Sequence, residues 1–557
     1  MRKAKYSFYF LLLIQMVFLR IGAFSQSQMV TNEIRTILEG DSTYLNNLFN
    51  KSPLYSNTEL LVFYSDRAFE PGWSENQTLT CNALELRLLI QNAALEGLVP
   101  EDYHLNAINP YFEKFFSGSP LTAHELAKVD FLLSDAFIVY ANHIYGGKVH
   151  PEHINGSWEI MQKESEPKVV EKLILAVSQR NVRAQLFSLQ PKFAIYTRMR
   201  QSLIKHIGLQ KKKDSQTWEK ISIKEKIELE QTSPVVEIIR KRLLFWGDLK
   251  NSSIHSGTEE VYDSLLFASV KVFQKRNGLQ ADGVLGKATI DALNKSPLEV
   301  IKQIRVNMER LRWLPDTTVQ EMILVNIANY AMDYISKKDT LLHSNAIVGK
   351  SYRKTPVFNA AMSYLVFSPT WTVPPTILNN DVIPSIKKNQ NYLSAKNMRI
   401  LDYSGKEINP SEINWNSVNS KNFKYMVRQD PGESNSLGQV KFMFPNKHNV
   451  YIHDTPSRGL FSNEDRALSS GCIRIQQPFE LAKLLLADQP LWTDDLIKKA
   501  MEANKEKSIT LTRKIPVVIL YLTFWTDSKN TDQVRKDLYS RDDELFELLQ
   551  KPLMSFY

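Results

Sequence analysis

Between Tyr451 and Pro478 the sequence reads YIHDTPSRGLFSNEDRALSSGCIRIQQP, which sets His453 and one of the chain's two cysteines, Cys472, in a stretch dense in turn formers. A thiol of ordinary pKa, ~8.5, is ionised only to a few per cent at neutral pH, so a nucleophilic cysteine needs a base or a cation beside it. His453 can be that base: it ends a strand-like run and precedes Asp454-Thr455-Pro456, so its side chain can leave a sheet edge and face a loop. Gly471, with Ser470 before it, permits a sharp turn that aims the N–H groups around Cys472 at a developing oxyanion. Arg474, two residues past the cysteine, projects on the same side if the segment is extended, within reach of a carboxylate. A structural reading stands beside this one, because cysteine is among the most buried residue types and a single Cys/His pair in a long chain is weak evidence.

A chain of 557 residues suggests three or four domains at about 150 residues each. Its 43% hydrophobic and 10% aromatic content is enough to fill several cores and excludes a disordered protein. The first residues read as an export leader: Arg2, Lys3 and Lys5 precede the apolar run Tyr6 to Leu19, and Ala23-Phe24-Ser25 resembles a cleavage site. That run is shorter than the ~20 residues a membrane-spanning helix needs, so membrane attachment is expected only through an uncleaved leader. Four cations of the formal +9 charge, Arg2, Lys3, Lys5 and Arg20, belong to the leader. The remaining weak bias argues against a nucleic-acid partner and tolerates one bearing carboxylates. Cys81 and Cys472 make no disulfide framework. The ten histidines are scattered without metal-ligand spacing, and no phosphate-cradling or dinucleotide loop occurs, so neither metal nor cofactor is expected.

Residues 26–233 read as mostly helical, with apolar residues at helical spacing from Thr80 to Leu98 and from Glu125 to Tyr145. The lysine-rich segment from Gln210 to Gln231 reads as a solvated linker or helix face. Residues 234–296 carry three helix signals and the turn ADGVLGKAT, the pattern of a small three-helix bundle. From about 297 to 527 the text turns β-rich. The strand-like runs are Met322 to Ile335, Ala361 to Val373, Gln439 to Phe444, Asn449 to Asp454 and Ile515 to Trp525, with a helix from Pro478 to Asp488. A polar stretch broken by Pro and Asn, about 377–430, reads as an insertion over one face of the sheet, and 528–557 as a C-terminal tail. The fold class is multidomain α+β.

The segment HDTPSRGLFSNEDRALSSGCIRI resembles the signature of the L,D-transpeptidases with a YkuD-type catalytic domain, in which a histidine precedes a [Ser/Thr]-x-Gly-Cys-x-Arg motif. NMERLRWLP, VGKSYRKTPVF, SPTWTVPPTI and RQDPGESNSLGQVKFMFPN resemble further blocks of that domain in the large periplasmic branch. FASVKVFQKRNGLQADGVLGKATIDALN resembles the peptidoglycan-binding three-helix module. FYSDRAFEPGW, ALEGLVPEDYH and YGGKVHP resemble the scaffold domain of the same branch.

The resemblance implies a periplasmic enzyme whose partner is peptidoglycan and whose inhibitors are carbapenems. Cys472, activated by His453, attacks the bond between the third-position diamino acid and D-alanine of a tetrapeptide stem. A second stem's amine then resolves the acyl-enzyme as a 3→3 cross-link. Water as acceptor would make a carboxypeptidase, a protein lysine a protein-anchoring enzyme, and loss of chemistry a wall-binding scaffold. Gly471 and Cys472 imply the oxyanion hole, Arg474 loop ordering or carboxylate binding, and Tyr451 and Trp371 the donor groove. Many members carry a histidine where this chain has Ser470, so no acid–base role is implied at that position. The insertion corresponds to a capping subdomain.

Overall fold

A computed structural model of the chain describes residues 28–553, apart from 155–157, 161–162, 164–167, 216, 251–259, 316–319, 338 and 420–421. The expected leader over residues 1–25 lies outside the described residues. Among the described residues no helix is long and apolar enough to cross a membrane.

The N-terminal helices gather around Ala123–Gly146, which is buried on nearly every face. A capping box between Thr122 and Glu125 starts this helix, satisfying its first free amides reciprocally. The helix expected from Thr80 to Leu98 is broken in two. Cys81–Gln91 ends where the Asn92 side chain donates to the Leu88 carbonyl, and a short 3-10 turn, Ala93–Glu96, follows. The lysine-rich segment divides as its chemistry suggests, with Lys211 to Lys213 in the last turn of helix Ala194–Asp214, where cations suit the negative helix end.

The small bundle comprises Pro234–Trp246, Ser264–Arg276 and Lys287–Asn294. Gln274, on the apolar stripe of the second helix, is buried and holds the following turn. Its amide donates to Asp282, Thr289 and the Val284 carbonyl, and its oxygen accepts from the Gly283 N–H.

In the C-terminal part the main sheet closes on itself. Val440–Met443 pairs with Ile452–His453 on one side and with Val357–Phe367 on the other. Between them the path runs through Ile473–Ile475, Asp339–Gly349, Ala331–Ser336, Glu321–Asn326 and Lys507–Leu520. The run from Met322 to Ile335, read as one strand, is a hairpin: Glu321–Asn326 and Ala331–Ser336 flank a turn in which Tyr330 takes φ 51°. Trp158–Glu159 from the N-terminal region adds a parallel strand beside Val357–Phe367. The insertion has its own four-stranded sheet and its own small apolar core around Val382, Ile386 and Ile400. Its edge strand is Trp371–Thr372, so the cap draws on residues ahead of 377.

Two segments tie these parts together. Helix Pro297–Arg312 is buried along both apolar and charged positions. Its charges are paired: Arg312 with Glu309 at 2.8 Å, both fully buried, and Arg310 with Asp542 at 2.7 Å. Glu309 also accepts from the Val149 N–H at 2.6 Å, and Arg312 donates to the hydroxyl of Tyr196 at 2.9 Å, both in the N-terminal region. The residues expected as a tail are built into the fold. Asp532–Val534 pairs with Phe524–Thr526, and helix Asp542–Gln550 packs on Pro297–Arg312.

Removing one partner of a buried pair leaves an uncompensated charge, a loss of about 3–5 kcal/mol. Glu309→Ala, which also orphans the Val149 N–H, is expected to lower the urea midpoint by that order. The double variant Glu309→Leu/Arg312→Met recovers part of the loss, as read by tryptophan fluorescence.

Candidate active site

The histidine ends one strand, and the cysteine lies immediately before a neighbouring parallel strand. Ile452 pairs with Ile473 and His453 with Arg474. Side chains alternate between faces along a strand. Ile452, Ile473 and Ile475 are buried in the core, which leaves Tyr451, His453, Cys472 and Arg474 together on the other face. All four line a cleft of about 810 Å³ that also takes in Trp371, Arg353, Lys354 and Asp381. The register sets Tyr451 directly across from Cys472, with the Ile473 N–H donating to the Tyr451 carbonyl at 3.1 Å. His453 lies across from Arg474, on the diagonal from the thiol.

Burial pushes the Cys472 thiol up from its ordinary value, while the Tyr451 backbone and hydroxyl and the Arg474 charge pull it back. The thiol also lies 3.8 Å from the Asn449 carbonyl. Burial, reinforced by Arg474, pulls His453 down to about 3. Its Nδ1 stands 2.6 Å from the Asp454 carbonyl, which can only accept, so Nδ1 carries the proton. At neutral pH the resting pair is therefore a neutral thiol and a neutral imidazole. Tyr451 does more than line a groove: its hydroxyl meets the thiol and accepts from the indole of Trp371. Trp371 thereby connects the sheet of the insertion to the Cys472 thiol.

Arg474 is desolvated, and its buried Nε has no hydrogen-bond partner among the described residues. A buried guanidinium in this condition invites an anion.

Gly471 adopts φ 120°, a conformation that favours glycine. Its N–H donates to the Ser469 hydroxyl at 3.1 Å, so this amide is already engaged. The Ser469 hydroxyl in turn donates to the Cys472 carbonyl at 2.6 Å. Ser470 is exposed and its hydroxyl accepts from Arg353 at 2.8 Å.

Several residues that position the loop escaped the sequence reading. The Thr355 hydroxyl donates to the Gly471 carbonyl at 2.8 Å and accepts from the Gly349 N–H at 2.9 Å. The Tyr539 hydroxyl donates to the Gly349 carbonyl at 2.7 Å and accepts from the Thr355 N–H at 3.1 Å. Tyr539 lies in the expected tail, so the C-terminal segment braces the turn that carries Cys472. Such partners act through backbone groups and leave no spacing signature; only the quoted run VGKSYRKTPVF pointed to the region.

Both cysteines are free thiols, and Cys81 is exposed at the start of its helix. Among the described residues no group of three or more His, Cys, Asp or Glu side chains could hold a metal ion.

Three family models match the chain. Residues 58–203 match a Scaffold domain, 232–293 a "Putative peptidoglycan binding domain", and 320–517 the YkuD L,D-transpeptidase catalytic domain. A "Putative L,D-transpeptidase" of Haemophilus influenzae is 36% identical over 246 residues, 44% of this chain. The match spans 49%, about half, of that relative's length. Among solved structures, an L,D-transpeptidase from Xylanimonas cellulosilytica is 12% identical, covering 54% of this chain and 99% of its own, with a TM-score of 0.18. One from Mycobacterium smegmatis is 13% identical, covering 37% and 61%, with a TM-score of 0.17. With its Cys472 strand and loop inside the third match, the chain carries, in order, a scaffold domain, a peptidoglycan-binding domain and an L,D-transpeptidase catalytic domain of the YkuD family.

Proposed function

We propose that the protein is a cell-wall L,D-transpeptidase that forms 3→3 peptidoglycan cross-links through an acyl-enzyme on Cys472, working outside the cytoplasm in the periplasm. The observation that carries this reading is the single face shared by Tyr451, His453, Cys472 and Arg474 along two paired strands.

With its proton on Nδ1, His453 presents an unprotonated Nε2 and serves as the base. The thiol passes its proton to Nε2, and the thiolate attacks the carbonyl between the third-position diamino acid and D-alanine. The Tyr451 hydroxyl and the Arg474 charge, which already favour the thiolate, stabilise it as it forms. Because the Gly471 N–H is engaged, the Cys472 N–H is the amide that meets the oxyanion. His453 then hands its proton to the departing D-alanine amine, leaving a thioester on Cys472. A second stem's amine attacks the thioester, its proton returns through His453 to the sulfur, and the cross-link is released. Arg474, without a carboxylate partner among the described residues, binds a carboxylate of the donor stem. Cleft walls that bring Trp371 from the cap to Tyr451 support a donor groove there.

Intact-protein mass spectrometry tests the nucleophile. The wild-type protein is expected to gain one carbapenem mass, and with a disaccharide-tetrapeptide to release D-alanine and form dimers, while Cys472→Ala does neither. Accumulation of tripeptide without dimers would make the protein a carboxypeptidase. Equal adducts on both proteins would remove Cys472 from the chemistry.

The pH dependence follows from His453. A depressed pKa keeps the imidazole neutral as pH falls, so the acid limb of carbapenem acylation is expected well below the ordinary histidine value of ~6.5. Arg474→Gln removes a charge that holds His453 down, so the limb should move to higher pH. A wild-type midpoint near 6.5 would contradict this assignment of the base.

A further inference from the structure

The second substrate must approach the same cleft, and the acyl-enzyme reading above is the premise for asking where it is held. Its attacking group is an amine, an ammonium ion in neutral water. The cleft is lined by three cationic side chains, Arg353, Lys354 and Arg474, which repel it. Among the described residues that line the cleft, Asp381 is the only carboxylate. It belongs to the cap, in the wide turn Leu378–Val382, whose hydrogen bonds span five residues. Turns of this kind recur at functional positions.

Asp381 is tied to Arg353 at 2.7 Å, and the same Arg353 nitrogen donates to the Ser470 hydroxyl at 2.8 Å, two residues from Cys472. The Asp381 side chain is half exposed. The Arg353 side chain is 15% exposed, so the pair is reached from the Asp381 side. A ligand carrying both charges can therefore insert into the pair, replacing one contact by two.

We propose that Arg353 and Asp381 form the acceptor subsite, and that it takes an amine flanked by a carboxylate, the zwitterionic end of an amino acid. The carboxylate lies on the Arg353 guanidinium and the ammonium on Asp381. One proton of the ammonium leaves to water. The free amine then forms the C–N bond as the C–S bond to Cys472 breaks, and its second proton passes through His453 to the thiolate. The products are an amide, the restored thiol and one proton in solution. Since Arg353 also holds Ser470, an occupied subsite sits beside the loop that bears the thioester.

The test uses the full chain, a disaccharide-tetrapeptide donor and two acceptor stems. In one acceptor the third residue ends in an amine beside a carboxylate; in the other it ends in the amine alone. Dimer is measured against hydrolysed tripeptide, so that each value is a partition of acyl-enzyme already formed. Wild type is expected to favour the carboxylate-bearing acceptor about tenfold, the size of one charged contact. Asp381→Asn should lower the dimer-to-tripeptide ratio about tenfold for both acceptors, with partial rescue in Asp381→Glu. Arg353→Gln should erase the preference, mainly by weakening the carboxylate-bearing acceptor. An unchanged partition in Asp381→Asn overturns the subsite. So does an equal fall for both acceptors in Arg353→Gln, which would leave the pair as a latch between cap and loop. If no acyl-enzyme forms on wild-type Cys472, the transpeptidase reading fails instead, a result distinguishable from an intact acyl-enzyme with unaltered partition.

Discussion

The parallel pairing of Ile452–His453 with Ile473–Ile475 is the constraint on which the site depends. A slip of one residue would turn the isoleucines out of the core and bury the four polar side chains in their place. The register is therefore held by apolar burial, and the chemistry inherits it. Ile452, Ile473 and Ile475 fix the strands; Tyr451, His453, Cys472 and Arg474 occupy the positions left over. The shared face of these four side chains needs no dedicated scaffold beyond the alternation of a well-packed sheet.

The same sheet sets the electrostatics. His453 ends its strand inside the protein and donates to the carbonyl of the next residue, which orients the ring, while burial and the Arg474 charge keep it neutral. Cys472 lies just ahead of its strand, where the turn through Gly471 is braced by Thr355 and, behind it, by Tyr539. Burial holds both groups uncharged at rest, and Arg474 works on each. It depresses the imidazole and favours the thiolate. A neutral pair avoids carrying an unprotected thiolate, which oxidants attack readily.

Much of this was legible in the sequence. Cys472, His453, Gly471 and Arg474 stood out because motif spacing and period-two alternation report on local geometry, and the three-helix bundle because helical periodicity does. What stayed hidden has a common cause. The hairpin around Tyr330 was read as one strand because its turn, Ile327–Asn329, contains none of the Gly or Pro that marks most turns. The helix after Thr80 looked continuous because the stop at Asn92 lies in a side-chain hydrogen bond, not in a breaker residue. The C-terminal segment was read as a tail, yet Leu545 and Leu549 are buried and Asp542, Tyr539 and Asp532 each find partners far away in the chain. Polar contacts across hundreds of residues have no period.

That long-range polar matter is concentrated on Pro297–Arg312, and it explains how the parts cohere. Apolar helix faces tolerate sliding; a buried Glu309–Arg312 pair that also satisfies Val149 and Tyr196 does not, because any displacement strands a charge. Arg310 extends the same logic to Asp542, and Asn307 to Thr523, so one helix fixes the N-terminal region, the closed sheet and the C-terminal helix in a single arrangement. The cap stands outside this network. It has its own core and meets the loop before Cys472 through Arg353, Asp381 and Ser470, and the thiol through Trp371 and Tyr451. Rigid support thus lies beneath the thiol, and the half-exposed contacts lie above it, on the side of the cleft.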